Sequence, residues 1–251
     1  MNKDTIKTEV RNVYAAIARQ SGCGCGSSCC SDANLATSRL IDYGALVEEI
    51  PEGADLGLGC GIPTQDVDIR PGEMVLDLGS GAGIDAFLAA KLVGPEGRVI
   101  GVDMTPEMVA RATQNANAME SGYHNVEFLL GEIETLPISD NSMDVVISNC
   151  VINLVPDKHR AFAEIYRVLK PRGRFCISDI VSYGRVPARI RRSAELWTGC
   201  IAGAMDKEAY VRLISEAGFK DVSIKRLVRY PNFSSTRYGF ASITITGSKP
   251  S

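Results

Sequence analysis

An open, doubly wound α/β sheet, seven strands wide and mostly parallel, is the fold this sequence predicts. Two observations carry that expectation. From residue 74 onward, short and nearly continuous apolar runs alternate with segments of helical period, the mark of a parallel sheet covered on both faces. A glycine-rich turn follows the first run, at the strand edge where such sheets bind ligands. The length of 251 residues, with 45% hydrophobic and 23% charged side chains, supports one large domain or one with a small appendage, and excludes a mostly disordered chain.

Taken in order, residues 3–20 predict an amphipathic helix, with Ile6, Val10, Val13, Ala16 and Ile17 near the helical period. SGCGCGSSCC at 21–30 is too flexible in composition for a helix, 34–49 reads as helical again, and the Gly- and Pro-rich 51–72 reads as a long loop. MVLDLG (74–79), RVIGVD (98–103), VEFLLG (126–131), DVVISN (144–149) and RFCISD (174–179) read as buried strands. Helices are predicted near 84–93, 106–121 and 157–170 between them, then over 187–199 and 206–217. VSIKRLVRY (222–230) and ASITITGS (241–248) read as an antiparallel edge pair. Residues 1–71 thus form an N-terminal helical and Cys-rich extension, and 72–251 the main domain.

The 27 basic against 30 acidic residues, net charge -3, leave no electrostatic footprint for nucleic acid or an anionic membrane. No apolar run approaches the roughly 18 residues of a bilayer span. MNKDTIKTEVRNVYAAIARQ carries no signal-peptide core, so a cytoplasmic location is expected. Eight Cys stand against two His, and a reducing compartment keeps thiols available. Neither His124 nor His159 has a helical His partner, so any metal or metalloid site must be built from sulfur.

Asp77-Leu78-Gly79-Ser80-Gly81-Ala82-Gly83 closes the first strand and opens a helix, letting a ligand approach the backbone. The loose G-x-G-x-x-A pattern also admits a dinucleotide. Asp77 and Asp85 would set negative charge against a pyrophosphate, whereas the amino and sulfonium groups of S-adenosylmethionine suit an anionic rim. Asp103, at the end of the second strand, can accept hydrogen bonds from both hydroxyls of a ribose, which indicates an adenosine ligand without choosing between cofactors.

Cys60 (GLGCGIP), Cys150 (SNCVINL) and Cys200 (ELWTGCIAGA) lie in loops or at loop edges, Cys150 at the carboxyl edge of the sheet. Cys176, inside a strand, reads as a small buried hydrophobe. No general base is apparent. Thiolates choose thiophilic ions, and arsenic held by three sulfurs keeps a lone pair that can attack a sulfonium methyl without a base. The CGCGSSCC segment also admits a zinc or copper cluster, a disulfide or a capturing arm. Arg185, Arg189, Arg191 and Arg192 read as a solvated basic face, His159 as exposed, His124 as a loop residue before a strand, and Trp197 as core packing.

DLGSGAG, VDMTPEM (102–108), GEIETLP (131–137) and LKPRGRF (169–175) together resemble the motif series of seven-stranded, Rossmann-like S-adenosylmethionine methyltransferases, over roughly residues 72–180. That resemblance implies a cofactor set of Asp77, Gly79, Ser80, Gly81, Gly83, Asp103, Met104, Ile133, Glu134 and Asn149, with Met104 against the adenine and Glu134 at its edge. VRNVYAAIA, SSCC, GLGCGIP, SNCVINL and ELWTGCIAGA, spread over nearly the whole chain, resemble the arsenite methyltransferases. By that resemblance Cys60, Cys150 and Cys200 hold arsenic, and an N-terminal Cys, best matched by Cys30, takes part in early capture or a disulfide relay. The extra thiols Cys23, Cys25 and Cys29 leave the choice of N-terminal Cys open. The extension would pack over the active site, and the arsenic-binding insertion would lie around 180–217. The implied activity is methylation of arsenite or its thiol conjugates for detoxification, served by a reductant such as glutathione or thioredoxin. A small organic acceptor, or thiol-based sequestration without catalysis, are the alternatives.

Overall fold

The computed structural model describes residues 2–19, 43–47, 50–118, 123–191, 193–230 and 235–251. Cys23, Cys25, Cys29, Cys30 and Arg192, together with most of the helix expected at 34–49, lie outside these residues. One seven-stranded sheet organises the described chain, in the order β3-β2-β1-β4-β5-β7-β6. Its strands are β1 (Met74–Leu78), β2 (Arg98–Asp103), β3 (Val126–Leu130), β4 (Met143–Asn149), β5 (Leu169–Gly184), β6 (Lys220–Arg229) and β7 (Tyr238–Ser248). The pairs β1–β2, β2–β3, β1–β4 and β4–β5 are parallel, and β7 runs antiparallel to both β5 and β6. Sheet class, strand number and the antiparallel C-terminal pair agree with the sequence expectation, but β3, expected to be buried, is an edge strand with no fully buried residue and Leu130 55% exposed.

The helices are α1 (Lys3–Arg19), α2 (Pro63–Asp66), α3 (Ile84–Val93), α4 (Pro106–Ala118), α5 (Lys158–Val168), α6 (Ala188–Arg191), α7 (Ala194–Thr198) and α8 (Lys207–Glu216). Asp157 caps α5 by accepting the Arg160 N–H at 3.1 Å, and Asp206 caps α8 by accepting that of Ala209 at 3.2 Å. One sheet face packs on α5 and α8 through Phe162, Ile165, Leu213 and Phe175. The other meets the small side chains of α3, Ala86, Ala89 and Ala90, which let helix and strands approach closely.

Three local expectations are corrected. The helix expected over 187–199 is two short ones, because Ser193 Oγ accepts the Leu196 N–H at 3.2 Å and starts α7 afresh. The loop 51–72 contains a 3-10 turn at Glu52–Ala54 and α2, whose first residue Pro63 has its φ preset for a helix. Finally, β5 is far longer than 174–179. Its parallel partner β4 stops at Asn149, opposite Ser178, but β7 stays paired with it to Gly184. The result is a two-stranded ribbon reaching past the carboxyl edge of the sheet.

Gly61 fastens the loop before α2 onto this ribbon. A Cβ there would lie 2.2 Å from Ser178 Oγ and 2.5 Å from Ser178 Cβ. Gly61→Ala is therefore expected to destabilise the protein by about 1–3 kcal/mol, read as a lower urea midpoint. An unchanged midpoint would mean that the loop does not press on the sheet.

Candidate active site

Strand order reverses between β1 and β4, which makes their carboxyl ends the crevice of this sheet. A cleft of about 1050 Å³ opens there. The loop after β1 forms its floor, with Gly81 at φ 52 and Gly83 at φ 100, a backbone region that L side chains seldom adopt. Gly83 also sits against the Phe87 and Phe128 rings, which a Cβ would meet at 2.7 and 2.8 Å. The Gly81 N–H donates to Asp103 Oδ2 at 3.0 Å and the Thr105 N–H to Oδ1 at 2.8 Å, so two backbone groups hold the carboxylate at the end of β2, with the Thr105 hydroxyl beside it.

Three carboxyl groups converge at this end. Asp77 is 2% exposed and its Oδ2 has no hydrogen-bond partner. Burial, then the charges of Asp85 and Asp103, push its carboxyl well above the ordinary range. Burial likewise lifts Asp85 to about 6, against hydrogen bonds from Asn149 Nδ2 at 2.9 Å and the Tyr43 hydroxyl at 3.3 Å. A basin of buried, partly unpartnered carboxyls accepts a cation and repels a pyrophosphate. Asn149 joins this basin to the chain around it. Its Oδ1 accepts the N–H groups of Cys60 and Gly61 at 3.0 and 3.3 Å, while its Nδ2 also donates to the Gly61 carbonyl at 2.7 Å.

Met104, Ile133 and Glu134 also line the cleft. Lys7, Val10 and Tyr14, one face of α1, line the same cleft. Lys7 Nζ bridges Glu132 Oε2 at 2.7 Å and Glu134 Oε2 at 3.0 Å.

Beside the cleft, Cys60, Cys150 and Cys200 are buried at 2%, 3% and 2% exposure in one apolar cluster with Leu154, Ile180 and Trp197. Cys150 follows Asn149 directly and Cys200 follows α7, each in the left-handed region at φ 61 and φ 62, where non-glycine backbone is strained. The Cys150 N–H donates to the Ser178 carbonyl at 2.7 Å, and Cys200 Sγ reaches the Cys150 carbonyl at 3.0 Å. The sulfurs form a row, Cys60 to Cys150 to Cys200, linked by side-chain hydrogen bonds. Among the described residues no three His, Cys, Asp or Glu side chains are grouped so as to hold a metal ion. Burial pushes the Cys60 thiol up. Cys150 is held well above its ordinary value: the bond with Cys200 alone would lower it, but the bond with Cys60 and burial prevail. Cys200 is raised well above by its bond with Cys150 and by burial. All three are neutral thiols at pH 7.

The loop presenting Cys150 is braced from behind. Lys158 Nζ donates to the carbonyls of Asn153 and Val155 at 3.1 and 2.9 Å, Asn153 Nδ2 to the Ile180 carbonyl at 2.8 Å, and Trp197 Nε1 to that of Leu154 at 3.4 Å. Trp197 thus both packs and hydrogen-bonds. Burial holds Lys158 down to about 8 and lifts Asp179 to about 7, the latter accepting the Tyr210 hydroxyl at 3.1 Å.

Of the residues singled out in the sequence, Asp77, Gly79, Ser80, Gly81, Asp103, Met104, Ile133, Glu134, Asn149 and Cys150 line the cleft. Gly83 stands behind as the start of α3, and Cys60 and Cys200 lie in the adjoining cluster. Cys30 falls outside the described residues. Lys7, Tyr14, Tyr43 and Thr105 line the cleft without having been singled out. The 7-10-14 spacing on α1 marks a helix face but names no chemistry. Cys176 is fully buried and its thiol is raised by burial, in keeping with packing alone.

A family model described as a methyltransferase domain matches residues 69–218. The arsenite methyltransferase of Halobacterium salinarum is 48% identical over 226 residues, covering 86% of this chain and 57% of that protein. That of Aquipseudomonas alcaligenes is 38% identical over 218 residues, covering 84% and 61% respectively. The solved structure of an arsenic (III) S-adenosylmethionine methyltransferase from Chlamydomonas reinhardtii matches with a TM-score of 0.69 at 37% identity, over 86% of this chain and 74% of that one. The chain therefore spans less than two thirds of the length of these curated relatives.

Neutral, buried thiols predict slow alkylation. Iodoacetamide at neutral pH should modify Cys60, Cys150 and Cys200 far more slowly than a free cysteine, with rates rising as pH increases and thiolate forms. Peptide-resolved mass spectrometry reads this directly, and rapid, pH-independent labelling would contradict the protonation states given above.

Proposed function

The chain belongs to the methyltransferase-domain family and, within it, to the arsenic(III) S-adenosylmethionine methyltransferases, and from that membership we propose that it methylates trivalent arsenic held by Cys60, Cys150 and Cys200. The observation that carries this reading is the adjacency of Asn149 and Cys150, which joins a carboxyl-lined cation pocket to three buried thiols in consecutive residues. S-adenosylmethionine fits the pocket: its sulfonium and ammonium charges would meet the unpartnered Asp77 Oδ2 and its neighbours. Bound there, it supplies an electrophilic methyl group. Asp103 would accept the ribose hydroxyls, Met104 and Ile133 would flank the adenine, and Glu134, held by Lys7, would stand at its edge.

The protonated thiols favour the acceptor. Arsenous acid is neutral, and condensing three S–H groups with its three hydroxyls releases three waters and leaves no net charge in the apolar cluster. A zinc ion would instead need thiolates, whose excess charge beside the buried Asp179 is costly. Capture closes the row of sulfurs about one arsenic atom, whose lone pair then faces the cofactor end of the cleft. The chain thus contributes proximity and orientation rather than acid–base chemistry. Each transfer formally oxidises arsenic by two electrons, so a thiol reductant of the glutathione or thioredoxin kind is required to restore the trivalent state. Cys30 would act in early capture. The outcome would be arsenic detoxification.

Three results test this reading. Reduced protein, labelled S-adenosylmethionine, arsenite and a thiol should yield labelled methylarsenicals. Cys150→Ser or Cys200→Ser should lower that rate at least 100-fold while leaving the cofactor Kd within about twofold; the reverse pattern, cofactor affinity lost and arsenic binding kept, would exclude the assignment. The pH dependence of cofactor binding has a definite sign. Asp85 at about 6 and Asp77 above the ordinary carboxyl range take up protons as pH falls, and a cation binds the ionised forms. Calorimetric affinity for S-adenosylmethionine should weaken as pH drops through about 6, and more than for S-adenosylhomocysteine, which lacks the sulfonium charge. Equal pH profiles for the two ligands would remove the sulfonium from this pocket.

A further inference from the structure

A second concavity, of about 1230 Å³ and open to solvent, lies at the far end of the β5–β7 ribbon. Arg185, Arg189, Arg191 and Arg237 line it, with Val186 and Tyr238, and no carboxylate among the described residues does. This departs from the rest of the surface. The chain is net acidic, and arginines elsewhere, such as Arg19, Arg98, Arg167 and Arg174, stand in ion pairs. Arg185, Arg189 and Arg237 are exposed and have no acidic partner among the described residues. Arg191 is half-buried rather than part of a solvated face. It donates to Ser182 Oγ at 2.9 Å and to the Ala202 and Ala204 carbonyls, which ties the groove wall to the loop that follows Cys200. Val186 and Tyr238 also pack against the apolar cluster that holds the three thiols. The groove therefore adjoins the apolar shell around the thiol site.

Three exposed guanidiniums without an acidic partner among the described residues, Arg185, Arg189 and Arg237, make a positive basin that takes an anion, while Arg191 has Asp206 nearby. Its confinement to one groove on a net acidic chain disfavours an extended polyanion. Guanidinium forks match carboxylates in pairs, and several together select a ligand carrying more than one. The site beside it handles thiol-bound arsenic and consumes a thiol reductant. We propose that this groove binds the carboxylates of a low-mass anionic thiol, of the tripeptide type represented by glutathione, and seats it next to the acceptor thiols. The role as carrier or reductant rests on the methyl-transfer reading; the binding itself does not.

The test separates the two. S-methylglutathione, whose blocked sulfur can bind neither arsenic nor cysteine, is titrated calorimetrically into the full chain without arsenite. Saturable binding is expected, weakened at least about tenfold in the triple variant Arg185→Gln/Arg189→Gln/Arg237→Gln, whose exposed positions should leave S-adenosylmethionine affinity intact. No saturable binding to the parent, or equal binding by the variant, overturns the proposal. So does inorganic phosphate competing at equal concentration, which would mark a general anion site. In turnover, the variant should need about tenfold more glutathione for half-maximal rate, with the rate supported by neutral dithiothreitol unchanged. Were no thiol to support methyl transfer in the parent, the methyl-transfer reading would fall while the titration still decided the groove.

Discussion

The amide of Asn149 is the connection on which the rest of the site depends. Its oxygen holds the backbone at Cys60 and Gly61, and its nitrogen serves the Gly61 carbonyl, the Tyr43 hydroxyl and Asp85. An amide offers two donors and two acceptor lone pairs, and here both ends are spent on a single junction. The next residue in the chain is Cys150. The cation basin, the loop of the first thiol and the backbone of the second are therefore positioned by one side chain at the end of a central strand. Replacing it with a carboxylate would put two acceptors where donors are needed, and replacing it with an apolar group would strand buried N–H groups.

A second constraint is the state of the sulfurs. Burial keeps the thiols neutral, so the cluster can be apolar without an uncompensated charge in its centre. Two ionisable groups near them, Asp179 and Lys158, are buried as well: Asp179 accepts the Ile180 N–H on β5, and Lys158 donates to the carbonyls of Asn153 and Val155 in the Cys150 loop. Rigidity of that loop comes from these polar braces behind it, while the surface it presents forward is apolar and sulfur-bearing. Proximity chemistry needs that combination, since its whole contribution is a fixed geometry.

Much of this was legible in the sequence, for particular reasons. Most of the parallel strands announce themselves because a strand covered on both faces must be apolar at nearly every residue; β3 has the same apolar run yet lies half-exposed, because its place at the sheet edge is not written in its own residues. Asp77, Asp103 and the glycine turn were readable because strand ends at a switch point are where ligands bind. The contributions of Lys7 and Tyr14 were not, since a helix preceding the sheet by more than 50 residues carries no local sign of where it docks. Tyr43 and its bond to Asn149 were hidden for the same reason. The break between α6 and α7 could have been read from Ser193, an N-cap residue inside an otherwise helical stretch. The length of β5 could not, because it is set by pairing with a strand more than 50 residues further along the chain.

That late pairing also orders the protein's own manufacture. Ser242 Oγ on β7 bonds the Cys60 carbonyl at 2.7 Å, and Phe240 on the same strand packs in the thiol cluster. The elements forming the cation basin, by contrast, are all translated by Cys150. On a ribosome adding residues N-terminal first, the half of the cleft that would hold an adenosine ligand can assemble while the sulfur half still lacks its final wall. A nascent chain in that condition exposes thiols that the finished molecule buries. For this protein, translation speed and the redox state of its surroundings during synthesis thus bear on how many chains reach the form in which all three sulfurs are shielded.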